Sequence, residues 1–477
     1  MREGMTRREL LKAAGVGAAA MALPHWAAGA ETPARRPCLP AGRPNFLFLL
    51  TDQQSLSAMS AAGNPWVKTP HMDRLAARGV RFTRSYCPYP LCGPARAALF
   101  TSRMPHEVGV NTNDNSRIPA DTPTMGGLLR AAGYETGYAG KWHVPVVYPG
   151  YARAGTAQAA IPGFDVLPLP GKVARWPKGP TCGIEVDKAV AEASVAFLKA
   201  PRPKPFALVV SILNPHDICG LPNNAAEFAR LVHPGDPLPP LPNNFNATDA
   251  EPEPLAKSRR NGWSDDKWRR YRGVYFRLVE AADAHVGRVM TALTAAGLAD
   301  NTIVIFTSDH GEMNGSHRQT TKTKFYEESA AVPLIACVPG VTGKGSVDRT
   351  HLVSGLDILP TMCDYAGAAA PASLLGRSLR PLIEGRQAPW RDAVFAELVA
   401  GRTAARMVRT ARHKYVVYAA GAGPEQLFDL DADPGETKNL AAAPDAAAEK
   451  LLAEHRALLK QWCARTNDAF PVPAASS

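Results

Sequence analysis

Four short, almost continuously apolar segments constrain the fold of this 477-residue chain more than any other feature. They cover residues 45–51, 206–213, 302–307 and 333–338. A strand buried on both faces has this composition, because helices cover both sides of the sheet that contains it. Stretches with helical periodicity, including 186–200 and 264–296, lie between the segments. The sequence therefore predicts an α/β fold with a large, mostly parallel or mixed central sheet flanked by helices.

Polar residues directly follow three of these segments. Asp52 and Gln53 follow the first, His216 follows the second, and Asp309 and His310 follow the third. The carboxyl ends of parallel strands meet at one edge of an open α/β sheet, and ligands bind there. Two carboxylates, an amide oxygen and an imidazole suit a hard divalent cation better than they suit zinc. We predict a metal site at Asp52, Gln53, Asp309 and His310, the alternative being that the aspartates only cap loops.

The motif Cys92-Gly93-Pro94-Ala95-Arg96 begins another segment with helical character. Pro94 fits the first turn of a helix, where its missing N–H leaves no hydrogen bond unmade. Cys92 would then lie at a helix N-terminus, where exposed backbone amides favour anions. Arg96 is predicted to hydrogen-bond the group at position 92 and to hold its orientation. The motif alone occurs by chance in many proteins, so its meaning depends on the rest of the chain.

Further polar residues complete a recognisable order along the chain. Lys141 and His143 lie in a GKWH segment, His216 lies in NPHD, and Lys322 lies in KTKFYEES with Lys324 as a nearby competitor. Together with the cysteine motif and the predicted metal ligands, this order resembles the type I sulfatases, which belong to the alkaline-phosphatase-like superfamily. The resemblance implies the alkaline-phosphatase-like fold and the hydrolysis of a sulfate ester to an alcohol and inorganic sulfate.

The resemblance also implies a domain organisation. It extends over roughly residues 44–440, which is far more than a single motif covers. We expect a catalytic domain over residues 44–375 and a smaller C-terminal α+β subdomain over residues 385–465.

For the reaction itself, the resemblance implies that Cys92 is oxidised to formylglycine by a formylglycine-generating enzyme. The hydrated aldehyde is then both the nucleophile and a metal ligand. Lys141 and Lys322 bind the sulfate oxygens as charge develops in the transition state. His143 hydrogen-bonds or deprotonates the diol, and His216 protonates the leaving alkoxide or binds the sulfate.

Two positions depart from the commonest family pattern. Many sulfatases carry a second aspartate where this chain has Gln53, and an asparagine where it has His310. The combination found here also occurs in other relatives, including phosphonate monoester hydrolases. Hydrolysis of phosphonate monoesters or phosphodiesters therefore stays open as an alternative. Ca²⁺ is the implied metal, with Mg²⁺ and Mn²⁺ as alternatives, and Asn113 matches a polar substrate-contact position in some relatives.

The first 30 residues have the pattern of a targeting segment. A twin-arginine motif lies at residues 6–12, a run of small apolar residues follows, and residues 28–30 form a small-residue cleavage pattern. These features predict a signal peptide over residues 1–30 that the twin-arginine export machinery reads, with the mature protein periplasmic or secreted. No apolar run is long enough to span a bilayer, so stable membrane insertion is not expected.

The chain is basic, with a formal net charge of +11 at pH 7. An exported basic protein attracts polyanions, and a sulfated carbohydrate is the substrate that we expect, with a small sulfate ester as the alternative. Nucleic acid is not an expected partner, because the sequence has no recognition helix and no alternation of aromatic and basic residues. A non-catalytic polyanion-binding protein fits only the charge.

Overall fold

Strands and helices alternate through most of the chain. The computed structural model describes residues 42–114, 117–144, 160–170, 182–223, 225–247, 250–399 and 404–474. Its strands are β1 (Asn45–Asp52), β2 (Val80–Phe82), β3 (Ser85–Tyr86), β4 (Glu135–Gly140), β5 (Asp165–Val166), β6 (Phe206–Pro215), β7 (Thr302–Ser308), β8 (Leu334–Cys337), β9 (Ser346–Asp348), β10 (Val353–Ser354), β11 (Ala393–Leu398), β12 (Ala405–Thr410), β13 (His413–Tyr418) and β14 (Glu425–Asp429). Its α-helices are α1 (Pro70–Arg78), α2 (Cys92–Thr101), α3 (Met125–Ala131), α4 (Cys182–Lys199), α5 (Ala225–Phe228), α6 (Glu253–Ala256), α7 (Asp265–Ala295), α8 (Glu327–Ala330), α9 (Ile358–Ala366), α10 (Arg380–Ile383) and α11 (Ala446–Thr466).

A large mixed sheet forms the centre of the fold. Its strand order is β5-β4-β6-β1-β7-β8-β2-β9. In this order, each pair of adjacent strands from β5 to β7 is parallel. β8 is antiparallel to both β7 and β2. The four apolar segments correspond to β1, β6, β7 and β8. The predicted α/β fold with a mostly parallel or mixed sheet is confirmed.

Burial on both faces explains why the central strands are almost continuously apolar. Every residue of β1, β6 and β7 is buried. Phe46 and Phe48 pack on one side of the sheet with residues of α2, α3 and α9. Leu47 and Leu49 pack on the opposite side with residues of α1, α4 and α7. Burial of one such side chain contributes about 1.5–3 kcal/mol, so these layers provide the main driving force for the fold.

The two long helices that pack against this sheet were both predicted. Ser264 is the N-cap of α7, and its side chain accepts a hydrogen bond from the backbone N–H of Lys267 at 3.3 Å. Asp265 and Asp266 lie in the first turn, where carboxylates favour the positive end of the helix dipole. The other helix, α4, begins four residues earlier than the predicted start at residue 186.

A second, smaller sheet lies near the end of the chain. Its strands β11-β12-β13-β14 form an antiparallel meander. One face packs on residues such as Tyr86 and Tyr326, and the other packs on α11 through Leu452 and Leu459. These elements lie within residues 385–465 or end one residue beyond. The boundary between the two predicted domains stays a prediction, because the described residues from 42 onward belong to one compact unit.

The predicted signal peptide at residues 1–30 lies outside the described residues. Within the described ranges, no helix combines the length and the apolar character that crossing a membrane requires.

Candidate active site

Four adjacent parallel strands bring the predicted polar residues together. In the sheet order β4-β6-β1-β7, the carboxyl ends of these strands carry or lead into Lys141, His216, Asp52 and Asp309. The turn after β4 requires glycine, because Gly140 has a φ of 103° and a Cβ there would collide with the carbonyl oxygen of Ser211. The topology of the sheet thus places one cationic group, one imidazole and two carboxylates at a single edge.

Arg96 joins the two aspartates in a buried ion-pair network. Its Nη2 lies 3.0 Å from Asp52 Oδ2 and its Nε lies 2.9 Å from Asp309 Oδ2, and none of the three side chains is exposed. Nη1 donates to the backbone oxygen of Lys141 at 2.7 Å and to Ser211 Oγ at 2.8 Å. A guanidinium at this depth needs such partners, since an unpaired buried charge is strongly destabilising. These contacts show Arg96 fixing the two carboxylates, and the predicted hydrogen bond from Arg96 to a diol at position 92 stays a prediction.

Cys92 is the first residue of α2, so the predicted position at a helix N-terminus is confirmed. Its Sγ lies 3.1 Å from His310 Nε2 and 3.6 Å from Asp52 Oδ1. His143 and His216 also interact with the thiol. The side chain at position 92 therefore contacts residues from three different strand ends and from the loop after β4.

The charges around Cys92 favour an anion at that position. Burial opposes ionisation of the thiol, but the positive charges of Lys141, Lys322 and His310 lower the pKa of Cys92 well below its ordinary value. Lys141 is itself held in place, because its Nζ lies 2.6 Å from Asp52 Oδ2. A developing negative charge bound here would meet preorganised cations rather than water.

The two imidazoles that contact Cys92 favour their neutral forms. Burial, followed by the charge of Lys141, lowers the pKa of His143. Burial, Lys141 and Lys322 lower the pKa of His216 to about 4. His143 also has a φ of 65°, a conformation that is costly for a residue with a Cβ and that recurs at functional sites.

The end of β6 and the segment that begins with His216 are held by two carboxylates, one from α4 and one from that segment. Asp187 accepts hydrogen bonds from the backbone N–H groups of Leu213 at 2.5 Å and Asn214 at 2.9 Å. Asp217 accepts one from the backbone N–H of Gly183 at 3.2 Å, at the start of α4. This pairing of β6 with α4 fixes the backbone on both sides of His216.

Asn113 lies beside the start of α2. Its Oδ1 accepts a hydrogen bond from the backbone N–H of Gly93 at 2.9 Å. A Cβ at position 93 would lie 2.9 Å from the carbonyl oxygen of His143, so the absence of a side chain lets the helix approach this loop. The structure thus shows Asn113 holding the helix that carries Cys92, and its contact with substrate stays a prediction.

Lys322 reaches the site, whereas its competitor Lys324 does not. Lys322 Nζ donates to Gln53 Oε1 at 2.5 Å and lies 3.8 Å from the Sγ of Cys219. Burial lowers the pKa of Lys322, but nearby thiol and carboxyl groups raise it above its ordinary value. Lys324 Nζ instead donates to the backbone oxygens of Thr320 and Lys322. Geometry therefore favours Lys322 as the cationic group of the site.

The donor set fits a divalent cation. Asp52, Cys92, Asp309 and His310 each offer one ligand atom, and these four atoms all lie within 4.8 Å of one another. Burial and the charge of Asp52 raise the pKa of Asp309 to about 7, and a bound cation would offset both effects. The side chain of Gln53 adjoins this group through Lys322, and its backbone N–H donates to Asp309 Oδ1 at 3.1 Å.

The sequence interpretation missed several residues of the site. Glu312 is fully buried and accepts a hydrogen bond from Gln53. Its position three residues after Asp309 could have indicated that it lies near the site. Ser211 interrupts the apolar run of β6 because its hydroxyl faces Arg96. No sequence pattern indicated Cys219, because its contact with Gln53 depends on how the segment after β6 folds.

Comparison with protein-family models gives two matches. The sulfatase model matches residues 44–368. A model described as N-sulphoglucosamine sulphohydrolase, C-terminal, matches residues 315–462. Together they cover the central sheet and the second sheet with most of α11.

Comparison with curated proteins and solved structures gives similar results. The chain is 34% identical to a Delta 4,5-hexuronate-2-O-sulfatase of Bacteroides thetaiotaomicron, and the alignment covers 90% of each chain. It is 31% identical to an ulvan-active sulfatase of Formosa agariphila, covering 90% of this chain and 82% of the relative. The solved structure of a 2-O GAG sulfatase aligns with a TM-score of 0.77 at 31% identity, covering 91% of this chain and 95% of the other. A phosphonate monoester hydrolase of Agrobacterium radiobacter aligns with a TM-score of 0.73 at 26% identity, covering 89% and 96%.

Proposed function

The chain belongs to the sulfatase family of the alkaline-phosphatase-like superfamily and is a sulfuric ester hydrolase, and from this premise we propose that it removes sulfate from a carbohydrate through a formylglycine at Cys92. The observation that carries the proposal is the position of Cys92, which begins α2 beside His310 and Asp52 and is surrounded by cationic side chains. Carbohydrate is the proposed substrate class because two similar proteins are named for sulfated sugars or a sulfated polysaccharide.

The nucleophile arises in two steps before catalysis. A formylglycine-generating enzyme oxidises Cβ of Cys92 to an aldehyde, removes the sulfur, and supplies the oxidant from outside this chain. Addition of water to the aldehyde then gives a geminal diol. Asp52, Asp309, His310 and the group at position 92, with Gln53 beside them, would hold a divalent cation, and its positive charge would favour ionisation of the diol and binding of the sulfate. Ca²⁺ is proposed, with Mg²⁺ and Mn²⁺ as alternatives.

The residues of the chain then divide the reaction between them. Neutral His216 takes the proton of one diol hydroxyl, and the oxygen of that hydroxyl attacks the sulfur atom. The bond from sulfur to the ester oxygen breaks, and His216 returns this proton to the leaving alkoxide. The sulfate is now bonded to the carbon at position 92. His143 removes the proton of the second hydroxyl, the C–O bond to sulfate breaks, and the aldehyde forms again. Lys141 and Lys322 bind the sulfate oxygens throughout.

Arg96 has a positioning role in this scheme. Its two ion pairs hold Asp52 and Asp309 at a fixed separation, so the proposed metal ligands are oriented before the cation binds. Asn113, proposed to contact the substrate, lies close to the nucleophile because it binds the first turn of α2.

The mass of one peptide tests the proposal. Trypsin releases the segment from Ser85 to Arg96, and mass spectrometry of active enzyme should show an aldehyde in place of the Cys92 thiol. Cys92→Ala should abolish sulfate release from a 2-O-sulfated Δ4,5-hexuronate while the protein stays folded. Full activity with an unmodified thiol would exclude the formylglycine mechanism but would leave membership of the family intact.

One observation favours a second candidate, a phosphonate monoester hydrolase. The solved enzyme of that class aligns over 89% of this chain, and a formylglycine with the same cationic residues would serve either ester. The two activities differ in which ester of the same alcohol is hydrolysed faster. A purely polyanion-binding role is set aside, since the chain is a sulfatase.

Location completes the proposal. A twin-arginine signal at residues 1–30 would deliver the folded enzyme, with its cysteine already converted, to the periplasm or the medium. Cell fractionation of the full chain and of a variant with both Arg7 and Arg8 changed to Lys tests this step, because the double variant should stay in the cytoplasm.

A further inference from the structure

Gln53 has a backbone that leaves it little freedom. Its φ is 73°, its N–H donates to Asp309 Oδ1 at 3.1 Å, and its carbonyl oxygen accepts a hydrogen bond from the hydroxyl of Tyr275 at 3.0 Å. The side chain has no exposed surface. The remaining choice is which end of the side-chain amide, the oxygen or the NH₂ group, faces each neighbour.

Glu312 resolves this choice because its carboxylate only accepts hydrogen bonds. Its Oε1 accepts three of them, from the Tyr271 hydroxyl at 2.8 Å, the Asn314 backbone N–H at 3.1 Å and the Thr321 backbone N–H at 2.7 Å. Its Oε2 accepts one from Gln53 Nε2 at 2.5 Å. The NH₂ end of Gln53 is therefore directed toward Glu312.

The opposite end of the amide faces the candidate active site. Gln53 Oε1 accepts a hydrogen bond from Lys322 Nζ at 2.5 Å. Cys219 lies beside the amide, with its Sγ 3.3 Å from Nε2 and 3.4 Å from Oε1, so the thiol does not discriminate between the two orientations. When Lys322 turns to a sulfate oxygen, Glu312 is left as the group that keeps the amide from reversing.

We propose that Glu312 is a positioning residue, which makes Gln53 present its carbonyl oxygen, and not its NH₂ group, to Lys322 and to the cation beside Asp52 and Asp309. A carbonyl oxygen is a ligand for Ca²⁺, whereas an amide NH₂ group has no lone pair to offer. This inference rests on the proposed function for the presence of the cation. Nothing in the similarity to known sulfatases assigns a role to Glu312.

The substitution Glu312→Gln tests the proposal because it changes one atom and keeps the shape. The three donors around Oε1 hold the carbonyl oxygen of the new amide in that place, so its NH₂ group faces Gln53 Nε2. Two donors cannot share one hydrogen bond, and Gln53 must reverse. We expect the Ca²⁺ affinity of metal-stripped protein, measured by titration calorimetry, to fall by about 10–100-fold, the usual cost of losing an outer partner of a metal ligand.

Exchanging the two residues provides the rescue. In the double variant Gln53→Glu/Glu312→Gln, the NH₂ group at position 312 donates to the carboxylate at position 53, which still presents an oxygen to the site. The total charge of the pair is unchanged. We expect the Ca²⁺ affinity to return to within about threefold of wild type, a difference below 1 kcal/mol.

Tyr271→Phe is the matched control. It removes one donor from the same carboxylate but leaves the orientation of Gln53 unchanged, so the Ca²⁺ affinity should stay within about threefold of wild type. Thermal unfolding of each variant shows whether the fold is retained. Turnover of sulfate esters by the wild type is measured separately and tests the proposed function.

Each outcome bears on Glu312. Any of three results would overturn the positioning role. The folded Glu312→Gln variant could keep the wild-type Ca²⁺ affinity, the Tyr271→Phe variant could lose as much Ca²⁺ affinity as Glu312→Gln, or the double variant could fail to regain it. Sulfate turnover by a wild type that binds no Ca²⁺, Mg²⁺ or Mn²⁺ would overturn it too, while sparing the sulfatase activity. If the wild type released no sulfate but its Ca²⁺ affinity depended on Glu312 as expected, the proposed reaction would be rejected and the positioning role of Glu312 would be supported.

Discussion

At the scale of single residues, Asp309 combines two tasks. It accepts a hydrogen bond from Arg96 at 2.9 Å and belongs to the group of four ligand atoms. Asp309→Asn keeps the shape but removes one negative charge from a buried pair. We expect loss of the bound cation and a fall in kcat/KM of more than about 100-fold. This effect is larger than the usual effect of changing a residue that only hydrogen-bonds a metal ligand. Metal analysis of the purified variant, with kcat/KM on an aryl sulfate, checks this result, and full occupancy with normal turnover would contradict it.

Lys322 is expected to act mainly in the transition state. Charge on the sulfate oxygens and the leaving oxygen changes most there, so Lys322→Ala should lower kcat by about 100–1,000-fold and change KM much less. Lys324→Met is the control, because the Lys324 ammonium donates to the backbone oxygens of Thr320 and Lys322 and so supports the same loop without presenting its charge to Gln53. Steady-state kinetics of both variants decide the assignment. An equal effect of the two substitutions would mean that the loop, rather than the Lys322 charge, is responsible.

The residues of the site were easier to predict than their contacts. Cys92, Asp52 and Asp309 follow from motifs and strand ends, which are local properties of the sequence. Arg96 contacts Asp309 across 213 positions of sequence, and Glu312 contacts Gln53 across 259. Such pairings depend on how the strands are ordered in the sheet. The sequence therefore identified Arg96 but not its ion pairs with Asp52 and Asp309.

At the scale of elements, long buried strands were predictable and short or edge strands were not. β1, β6 and β7 are buried along their whole length, and their almost continuous apolar sequences predict this burial. β12 is different, because Arg406 and Arg409 are buried among its apolar residues. Arg406 forms an ion pair with Asp468, and Arg409 donates a hydrogen bond to the Tyr86 hydroxyl. A strand that depends on distant partners has no simple sequence pattern.

His106 links the segment after α2 to the second sheet and to the end of α11. Its Nδ1 lies 2.6 Å from Glu397 Oε2 on β11, its Nε2 hydrogen-bonds the backbone oxygen of Thr466 at 2.9 Å, and Arg406 and Asp468 lie nearby. Burial lowers the pKa of His106, but the hydrogen bond and charge of Glu397 outweigh it and raise the pKa to about 9.

The raised pKa of His106 makes the stability depend on pH in a definite direction. Because the folded pKa lies above the unfolded value of about 6.5, the imidazolium contributes fully below pH 6.5, and its contribution is lost as the pH rises through 9. We expect His106→Gln to lower the Tm most at pH 6 and progressively less toward pH 9.5. Calorimetry of both proteins over this range measures the difference. A constant difference, or one that grows with pH, would contradict the ion pair.

At the scale of the whole molecule, the charge affects how substrates arrive. A net charge of +11 produces a long-range field that attracts polyanions, and salt screens this field. If the substrate is an extended sulfated carbohydrate, kcat/KM should fall between 50 and 300 mM salt by about tenfold, the lower end of the range for steered association. An aryl sulfate with a single charge should change much less, since its binding depends on the local cations of the site. Equal salt dependence for both substrates would argue against a polyanionic partner.

The choice between sulfate and phosphonate esters also belongs to this scale, because the same fold serves both classes of similar protein. Both esters carry one negative charge on a tetrahedral centre, so the cations around Cys92 do not distinguish them. They differ in the last step, in which the diol carbon must release the bound anion, and sulfate is the weaker base and the better leaving group. We therefore expect kcat for an aryl sulfate to exceed that for the phosphonate of the same phenol by at least about tenfold, or 1.4 kcal/mol in transition-state free energy. Cys92→Ala should abolish both activities, which shows that one site is being compared. A tenfold preference for the phosphonate, lost in the same variant, would keep the nucleophile and the metal ligands in their proposed roles and change the substrate class.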